Sequence, residues 1–388
     1  FPYGTAEARV EVTKGVGNDP DLLYLGLWGK DVVVNAVKAA REVGYEGDIM
    51  VNEVVFTAPE VEALGDLAEG VYSSTGWILD SSIPESEAFS SAYEAEFGSK
   101  PDWWSELGYT AAKQLMAAIE AAGTTDYAAV APFMNDELVM TPRGKMLKFN
   151  ENGLRLVDDW IIIQAVNGEL LPVDTAPIAG AQAVAAASGE PVKLGTIWFN
   201  SGAAEGLGGI MRNGFDLAVM EQNAAGGVLG RPVEVIDYDE GYSADEAVAS
   251  ARRAVADGVA GVAGGNDATT CVAMKDALEE DGVPLVVTAC GSELITTEGY
   301  EGVVHVRAPV KQTQSDSNAL SVLARWMIEK GYKRVQGVGV DSDWVLLTDS
   351  EFRRIFEQEA PDDFVYNGMI YFPYGTAEAR VEVTKGVG

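Results

Sequence analysis

The seventeen residues FPYGTAEARVEVTKGVG stand at 1–17 and again, unchanged, at 372–388. No other segment of the chain repeats, so this is not a solenoid, whose units must recur along the whole chain to bury a continuous core. An identity of this length points to a chain whose natural ends were joined and which was reopened elsewhere, with the cut segment kept on both sides. A window cut from a tandem fusion is the alternative. The order of elements carries the same message. From Val192, short apolar strands (VKLGTIWF, PVEVIDYD, GVAGVAGG, VPLVVTA) alternate with stretches of helical spacing: Leu207 to Asn223, SADEAVASARRAVADG, and Thr269 to Glu280. Ser243 is placed to cap the second of these helices, with Glu246 completing a capping box. This rhythm specifies a parallel sheet covered by helices.

The rhythm restarts after VVHVRAP: a helix over 311–330, the strand RVQGVGV, a helix over 345–358, and the strand FVYNGMIYF. A helix is needed next, and TAEARVEVTKGVG supplies it. After that come the strand DPDLLYLGLW, a helix over 31–43 and the strand DIMVNEVV. The series closes only when Gly388 is followed by Asn18. The expected fold is therefore α/β, with two Rossmann-like lobes of parallel sheet flanked by helices. A first lobe comprises 80–141 and 191–308. A second comprises 1–76, 145–172 and 311–388. Residues 173–190 are a linker joining the natural termini; TAPIAGAQAVAAASG at 175–189 is uncharged and rich in small residues, and its A-x-A spacing suits the remnant of a signal-peptide cleavage region. Crossings near 306–310, 72–80 and 142–148 make a three-stranded hinge beside a cleft. In such sheets ligands sit outside the carboxyl ends of the strands.

Composition narrows the function. Sixty acidic residues against 27 basic ones give a net charge of −33, a field that repels nucleic acid and anionic membranes. The acids are spread along the chain, as in proteins of salty habitats. Stability is expected to rise with salt, which screens their mutual repulsion. One histidine, His305, and two cysteines, Cys271 and Cys290, leave no set for a metal centre, and no cofactor is implied. The two cysteines lie in neighbouring βα units; a disulfide and a pair of buried thiols both fit. No apolar run approaches the ~20 residues of a membrane span. The chain opens on Phe1 without Met or an apolar leader, as expected of a processed or engineered chain.

Other chemistry has little support. SGAAEGLGG at 201–209 follows a strand and opens a helix, but it lacks the Lys-Ser/Thr ending of a phosphate loop. No G-x-S-x-G occurs, and the lone His305 sits in the expected hinge strand VVHVRAP, so a Ser-His-Asp hydrolase site has no base to build on. Asp341 and Asp343 lack the further ligands of a calcium loop and read as a solvated turn.

NAAGGVLGRPVEVIDYD at 223–239 is the most specific stretch of the chain, supported by VADGVAGVAGG at 255–265, DGVPLVVTACGSELIT at 281–296, IYFPYG at 370–375 and KFNENG at 148–153. Through them the chain resembles the type I periplasmic solute-binding proteins of the branched-chain amino acid (Leu/Ile/Val) transport family, over 1–172 and 192–388 in permuted order. The resemblance implies a non-catalytic, exported receptor, periplasmic or extracellular, that closes on an amino acid or related carboxylate and docks on a membrane ABC transporter permease. A hydrolase, or a sensor or assembly scaffold on the same architecture, is the alternative.

Site residues follow from the same resemblance. In the first lobe it implicates the turn GGNDATT, with Ala268 and Thr269 at a helix start suited to a carboxylate. Asn266 and Asp267 are unusual there, and Asp267 would repel a carboxylate or hold a cation. The turn Thr288-Ala289-Cys290-Gly291 offers backbone groups and, at Thr288 or Cys290, the position of a hydroxyl. In the second lobe Trp344 and Trp28 fall where aromatics face the ligand, and would also box a cationic head group. Glu53 falls where an acid pairs with the ligand ammonium. Trp104 matches a position touching the ligand side chain, and Leu207 that of an aromatic lid in some relatives. Against each stands an ordinary packing or strand-ending role. The duplicated segment has one slot in the second lobe, so a spare copy would fray, bind elsewhere or enter a neighbouring molecule as a domain swap.

Overall fold

A computed structural model of the chain describes residues 5–27, 30–52, 55–149, 153–155, 160–173, 189–201, 206–241, 243–266, 268–290, 295, 302–307, 319–340 and 343–372; at 5–8, 30, 268–269 and 343–344 it describes the backbone alone. The chain divides into two compact units. Unit 1 is Phe1–Thr75, Asp159–Thr175 and Thr313–Gly388; unit 2 is Gly76–Asp158 and Ala176–Gln312.

Unit 1 is built on a seven-stranded sheet. Its strands are β1 (Leu22–Gly26), β2 (Asp48–Val51), β3 (Val71–Thr75), β4 (Ile161–Val166), β5 (Glu169–Pro172), β11 (Arg334–Val340) and β12 (Val365–Phe372), in the order β12-β11-β1-β2-β3-β4-β5. The first five of that row are parallel; β4 runs antiparallel to β3, and β5 antiparallel to β4. β1 reads LLYLG and is wholly buried, as a central parallel strand covered on both faces requires. Its side chains alternate. Leu23 faces Gly15 of α1 (Thr5–Gly17), where a Cβ would also crowd Val338, so the helix rests close on the sheet. Tyr24 points the other way, its ring 5.0 Å from Phe352 of α12 (Asp343–Glu359) in an edge-on contact. Phe352 and Phe356 in turn meet Tyr366 of β12 edge-on. α2 (Lys30–Glu42), α3 (Ala58–Leu64) and α11 (Ala319–Glu329) complete the helical cover.

α1 is the first copy of the duplicated segment. Val12 is fully buried, Arg9 pairs with Glu42 of α2 at 2.7 Å, and Asn18 Nδ2 donates to Gln336 Oε1 at 2.8 Å. The second copy, beyond Phe372, lies outside the described residues, as does the linker from 174 to 188.

Unit 2 carries five parallel strands, β6 (Val192–Trp198), β7 (Val233–Asp239), β8 (Val262–Gly264), β9 (Leu285–Val287) and β10 (Val303–His305), in the order β10-β9-β8-β6-β7. α9 (Ala244–Ala256) and α10 (Ala268–Glu280) cover one face, where Ile197, Val262, Leu285 and Val287 meet Ala251, Met274 and Leu278. α5 (Trp103–Ala122) and α8 (Leu207–Ala224) take the other, and α4 (Pro84–Phe97), α6 (Tyr127–Val130) and α7 (Phe133–Asp136) lie around them. The family-like stretch at 223–239 has a structural cause. Asn223 clamps the start of β7, accepting from Val233 N at 2.7 Å and donating to Val233 O at 2.9 Å. Gly226, Gly227 and Gly230 take positive φ in the turn between them.

Three expectations are corrected. Ser243 is the N-cap of α9, but its side chain makes no cap bond, and Glu246 pairs instead with Arg253 at 3.0 Å. Residues 145–158 belong to unit 2, not with 159–172: Leu147 N donates to Val139 O, and Arg155 N to His305 O. The third crossing accordingly falls at 158/159 rather than 142–148.

α5 and α8 cross through two glycines. A Cβ on Gly108 would overlap the Met211 carbonyl, and one on Gly214 the Ser105 carbonyl. Backbone cannot give way as a side chain does. Gly108→Ala and Gly214→Ala should each lower the unfolding free energy by ~2–3 kcal/mol. Gly209→Ala, on open helix surface, should raise it by ~0.5–1 kcal/mol. Urea titration of the three variants checks the contrast.

Candidate functional site

In each unit most of the sequence-derived candidates follow, in sequence, the carboxyl ends of three adjacent parallel strands; Trp104 lies instead in the first turn of α5. In unit 1 the strands are β11, β1 and β2. Trp344 lies in the first turn of α12, which follows β11; its side chain is not described. Trp28 and Glu53 follow β1 and β2 directly and lie outside the described residues. The end of β2 is held by Asn52, which is fully buried. Its Oδ1 accepts from Leu27 N at 3.0 Å, and its carbonyl accepts from Ser73 Oγ at 3.1 Å. Through its carboxamide and its backbone carbonyl, Asn52 thus ties the end of β2 to Leu27 after β1 and to Ser73 of β3. The signal was an Asn placed straight after the apolar run IMV.

In unit 2 the ends are those of β9, β8 and β6. β8 runs through Gly264 and Gly265 into α10, whose first residues are Ala268 and Thr269; Asp267 lies outside the described residues. Gly265 has φ +85°, and a Cβ there would crowd Cys271. Only glycine lets the first turn of α10 come so near the strand. The opening amides of a helix lack intrahelical acceptors and carry the positive end of its dipole, which suits a carboxylate. Leu207, the first residue of α8, is half-buried after Gly206 at φ +100°.

The turn after β9 is bound inward. Thr288 N donates to Gly264 O and Ala289 N to Gly265 O, both at 3.0 Å. The Thr288 hydroxyl donates to Gly264 O at 3.2 Å and accepts from the Trp198 indole at 3.0 Å. Cys290 forms a disulfide with Cys271, with Cα atoms 6.3 Å apart. The two side chains expected to supply a hydroxyl-like contact are therefore engaged with the protein itself, and the disulfide fastens α10 to this turn. Ala289 is buried, and its carbonyl accepts from Arg307 Nη1 at 3.0 Å. Trp104 is 2% exposed, its ring 6.0 Å from that of Trp103, over which the Arg307 guanidinium lies at 5.7 Å.

Two groups escaped the sequence reading. Glu106 of α5 and Arg155 form a buried pair at 3.8 Å, and Arg155 Nη1 also donates to Val306 O at 2.6 Å. No local pattern announces such a pair, because its members lie far apart in sequence. Beside it is His305 on β10, only 2% exposed. Among the described residues no cluster of three His, Cys, Asp or Glu could hold a metal ion, and no described helix is long and apolar enough to cross a membrane.

Burial, reinforced by the charges of Arg307 and Arg155, pushes His305 down to about 3 from its ordinary 6.5. The unfolded chain takes up that proton near 6.5 while the folded chain refuses it until about 3. This group's share of stability is therefore full above 6.5 and falls as pH drops through that window. Between pH 7 and 5 the wild type should lose ~2 kcal/mol relative to His305→Gln, read from paired denaturant titrations.

Comparison with known proteins places the chain. A family model described as periplasmic binding protein matches residues 1–169 and 191–385. The chain is 27% identical over 141 residues to the Leu/Ile/Val-binding protein of Escherichia coli (strain K12), covering 36% of this chain and 37% of that one. It is 32% identical over 127 residues to the Leu/Ile/Val-binding protein homolog 7 of Brucella abortus (strain 2308), 32% of each chain. It thus spans about a third of the length of the curated relatives it matches. A solved branched-chain amino acid transporter substrate binding protein from Streptococcus pneumoniae, in complex with isoleucine, is 25% identical, with a TM-score of 0.42 over 51% of this chain and 54% of that one. Matched by the family model along most of its length, the chain belongs to the periplasmic binding protein family.

Proposed function

We propose that the protein is an exported, non-catalytic receptor that binds an amino acid or a related carboxylate and hands it to the permease of a membrane ABC transporter. The observation that carries this reading is the set of adjacent strand ends at β9, β8 and β6, where α10 opens its amides beside a turn of ordered backbone. The ligand carboxylate is assigned to the amides at Ala268 and Thr269 and to the Cys290 N–H; Thr288 and Ala289, whose own N–H groups go to Gly264 O and Gly265 O, shape the turn that presents it. Glu53 pairs with the ammonium; Trp28, Trp344, Trp104 and Leu207 surround the ligand side chain. The relatives named for Leu, Ile and Val support an amino-acid ligand, and the net charge of −33 suits a protein living in high salt. Calorimetry against the common amino acids tests this. At least one should bind, and Glu53→Gln should weaken it at least tenfold, about 1.4 kcal/mol. Absence of binding, or an unchanged affinity in the variant, would contradict the assignment.

The chain is further proposed to be a circular permutant of that family. Support comes from the duplicated ends, from the two family-matched stretches flanking 170–190, and from the packing of the first copy beside β1 and β11. The second copy follows β12 directly and carries the same side chains, so it suits the same slot, in its own chain or in a neighbour as a domain swap. Val12 of the first copy corresponds to Val383 of the second. Val12→Asp puts a charge into a fully buried position and alone would cost ~3 kcal/mol or more. With the second copy substituting, the single variant should lose less than ~1 kcal/mol and self-associate more, while Val12→Asp with Val383→Asp loses the full amount. Equal losses in single and double variants, measured by melting and sedimentation, would show that the second copy cannot serve.

A further inference from the structure

Asn266 stands where β8 turns into α10, two residues before the helix begins. It is 5% exposed, and its backbone N–H donates to Glu240 Oε1 at 3.2 Å. Neither atom of its carboxamide has a hydrogen-bond partner, the one described side chain amide with both atoms buried and unmatched. The other asparagines at strand edges are used differently. Asn52 accepts from Leu27 N, Asn223 both donates and accepts at Val233, and Asn200 Nδ2 donates to Asp237 and to Tyr238 O. A buried amide left without partners destabilises the fold it sits in. Where a native site holds one, a role in binding is a physical explanation.

We infer that Asn266 determines specificity by taking a polar, uncharged group on the ligand side chain, so that the ligand is an amino acid bearing an amide rather than a branched aliphatic one. The inference rests on the binding function proposed above. The neighbouring side chains cannot do this work. The Thr288 hydroxyl is held between Gly264 O and the Trp198 indole, and the Cys290 sulfur is bonded to Cys271. A carboxamide offers two donors on Nδ2 and an acceptor on Oδ1. A carboxylate supplies only acceptors and leaves Oδ1 unmatched; an aliphatic side chain supplies nothing. A second primary amide pairs with both atoms at once. A site built to hydrogen-bond such a group rejects the analogue lacking it far more strongly than an apolar pocket rejects a size change, because its own polar atoms stay unpaired.

The test uses Asn266→Leu, close in shape to asparagine, and Asn266→Ala, which adds no bulk. Calorimetry with asparagine, glutamine, leucine and isoleucine is run beside melting of the ligand-free proteins. The wild type should prefer asparagine or glutamine at least tenfold. Both variants should lose at least tenfold affinity for that amide and none for leucine. Ligand-free Asn266→Leu should melt about 2 °C higher than the wild type, because the unmatched amide is gone. A wild type that binds leucine or isoleucine and not the amides, variants whose amide affinity stays within twofold, or an Asn266→Leu protein that melts lower each overturn the inference while leaving the binding function standing. Binding of no amino acid at all overturns the binding function itself, and the inference with it.

Discussion

Unit 1 depends on the parallel pairing of β1 with β11, which joins residues 22–26 to residues 335–339. Among the described residues, β1 is the strand that connects the β11–β12 side of the sheet to the β2–β5 side. Polar contacts at its entry reinforce the register. Asp21 carries the load there, accepting from the backbone N–H groups of Lys333 and Arg334 and pairing with the Arg334 guanidinium at 2.9 Å. Burial works against this carboxylate, but the Arg334 bond and the two amides outweigh it and hold it below the usual range. Loop closure over such a span carries a large but slowly growing entropy cost. In the order of elements inferred from the duplicated segment the same two strands are separated by α12, β12 and the helix of the duplicated segment. In this chain the pairing is made by residues from opposite ends of the sequence.

At the carboxyl edges the strands are finished by buried polar locks: the Asn52 amide in unit 1, and the Thr288 hydroxyl with the Trp198 indole in unit 2. Each ties a loop to its sheet. Charge is treated the same way. Glu106 and Arg155 are paired in the interior, and His305 is kept neutral beside them. A buried ion pair adds little net stability, but losing one partner would leave the other charge uncompensated. The Cys271–Cys290 link fastens α10 to the turn after β9. The result is a set of short, rigid connections at the edge where α/β sheets bind ligands.

Much of this was legible in the sequence, because alternation of apolar runs with helical spacing is a local signal. The strands VKLGTIW, VEVIDYD and RVQGVGV and the helix from Ala268 to Glu280 lie where their patterns put them. What failed depended on tertiary partners. Ser243 begins α9 as its residue type suggests, yet Glu246 finds Arg253 a better partner than the helix end. Residues 145–155 carry no strong periodicity, and they are held in unit 2 by bonds of Leu147 to Val139 and of Gly153 and Arg155 to His305. Thr288 looked like a free hydroxyl because nothing nearby in sequence predicts an indole from Trp198. The site itself was legible only as a set of strand ends. Which side chains there remain unmatched, Asn266 above all, is a property of packing that no motif encodes.

The most direct measurement is the change in backbone amide NMR shifts as a bound amino acid is titrated in. The account places the largest changes at Gly265, Asn266, Thr288 and Ala289 in unit 2 and at Leu27 and Asn52 in unit 1, with the outer helices α4 and α9 unmoved. Changes centred on those helices, or absent from the strand ends of either unit, would contradict it.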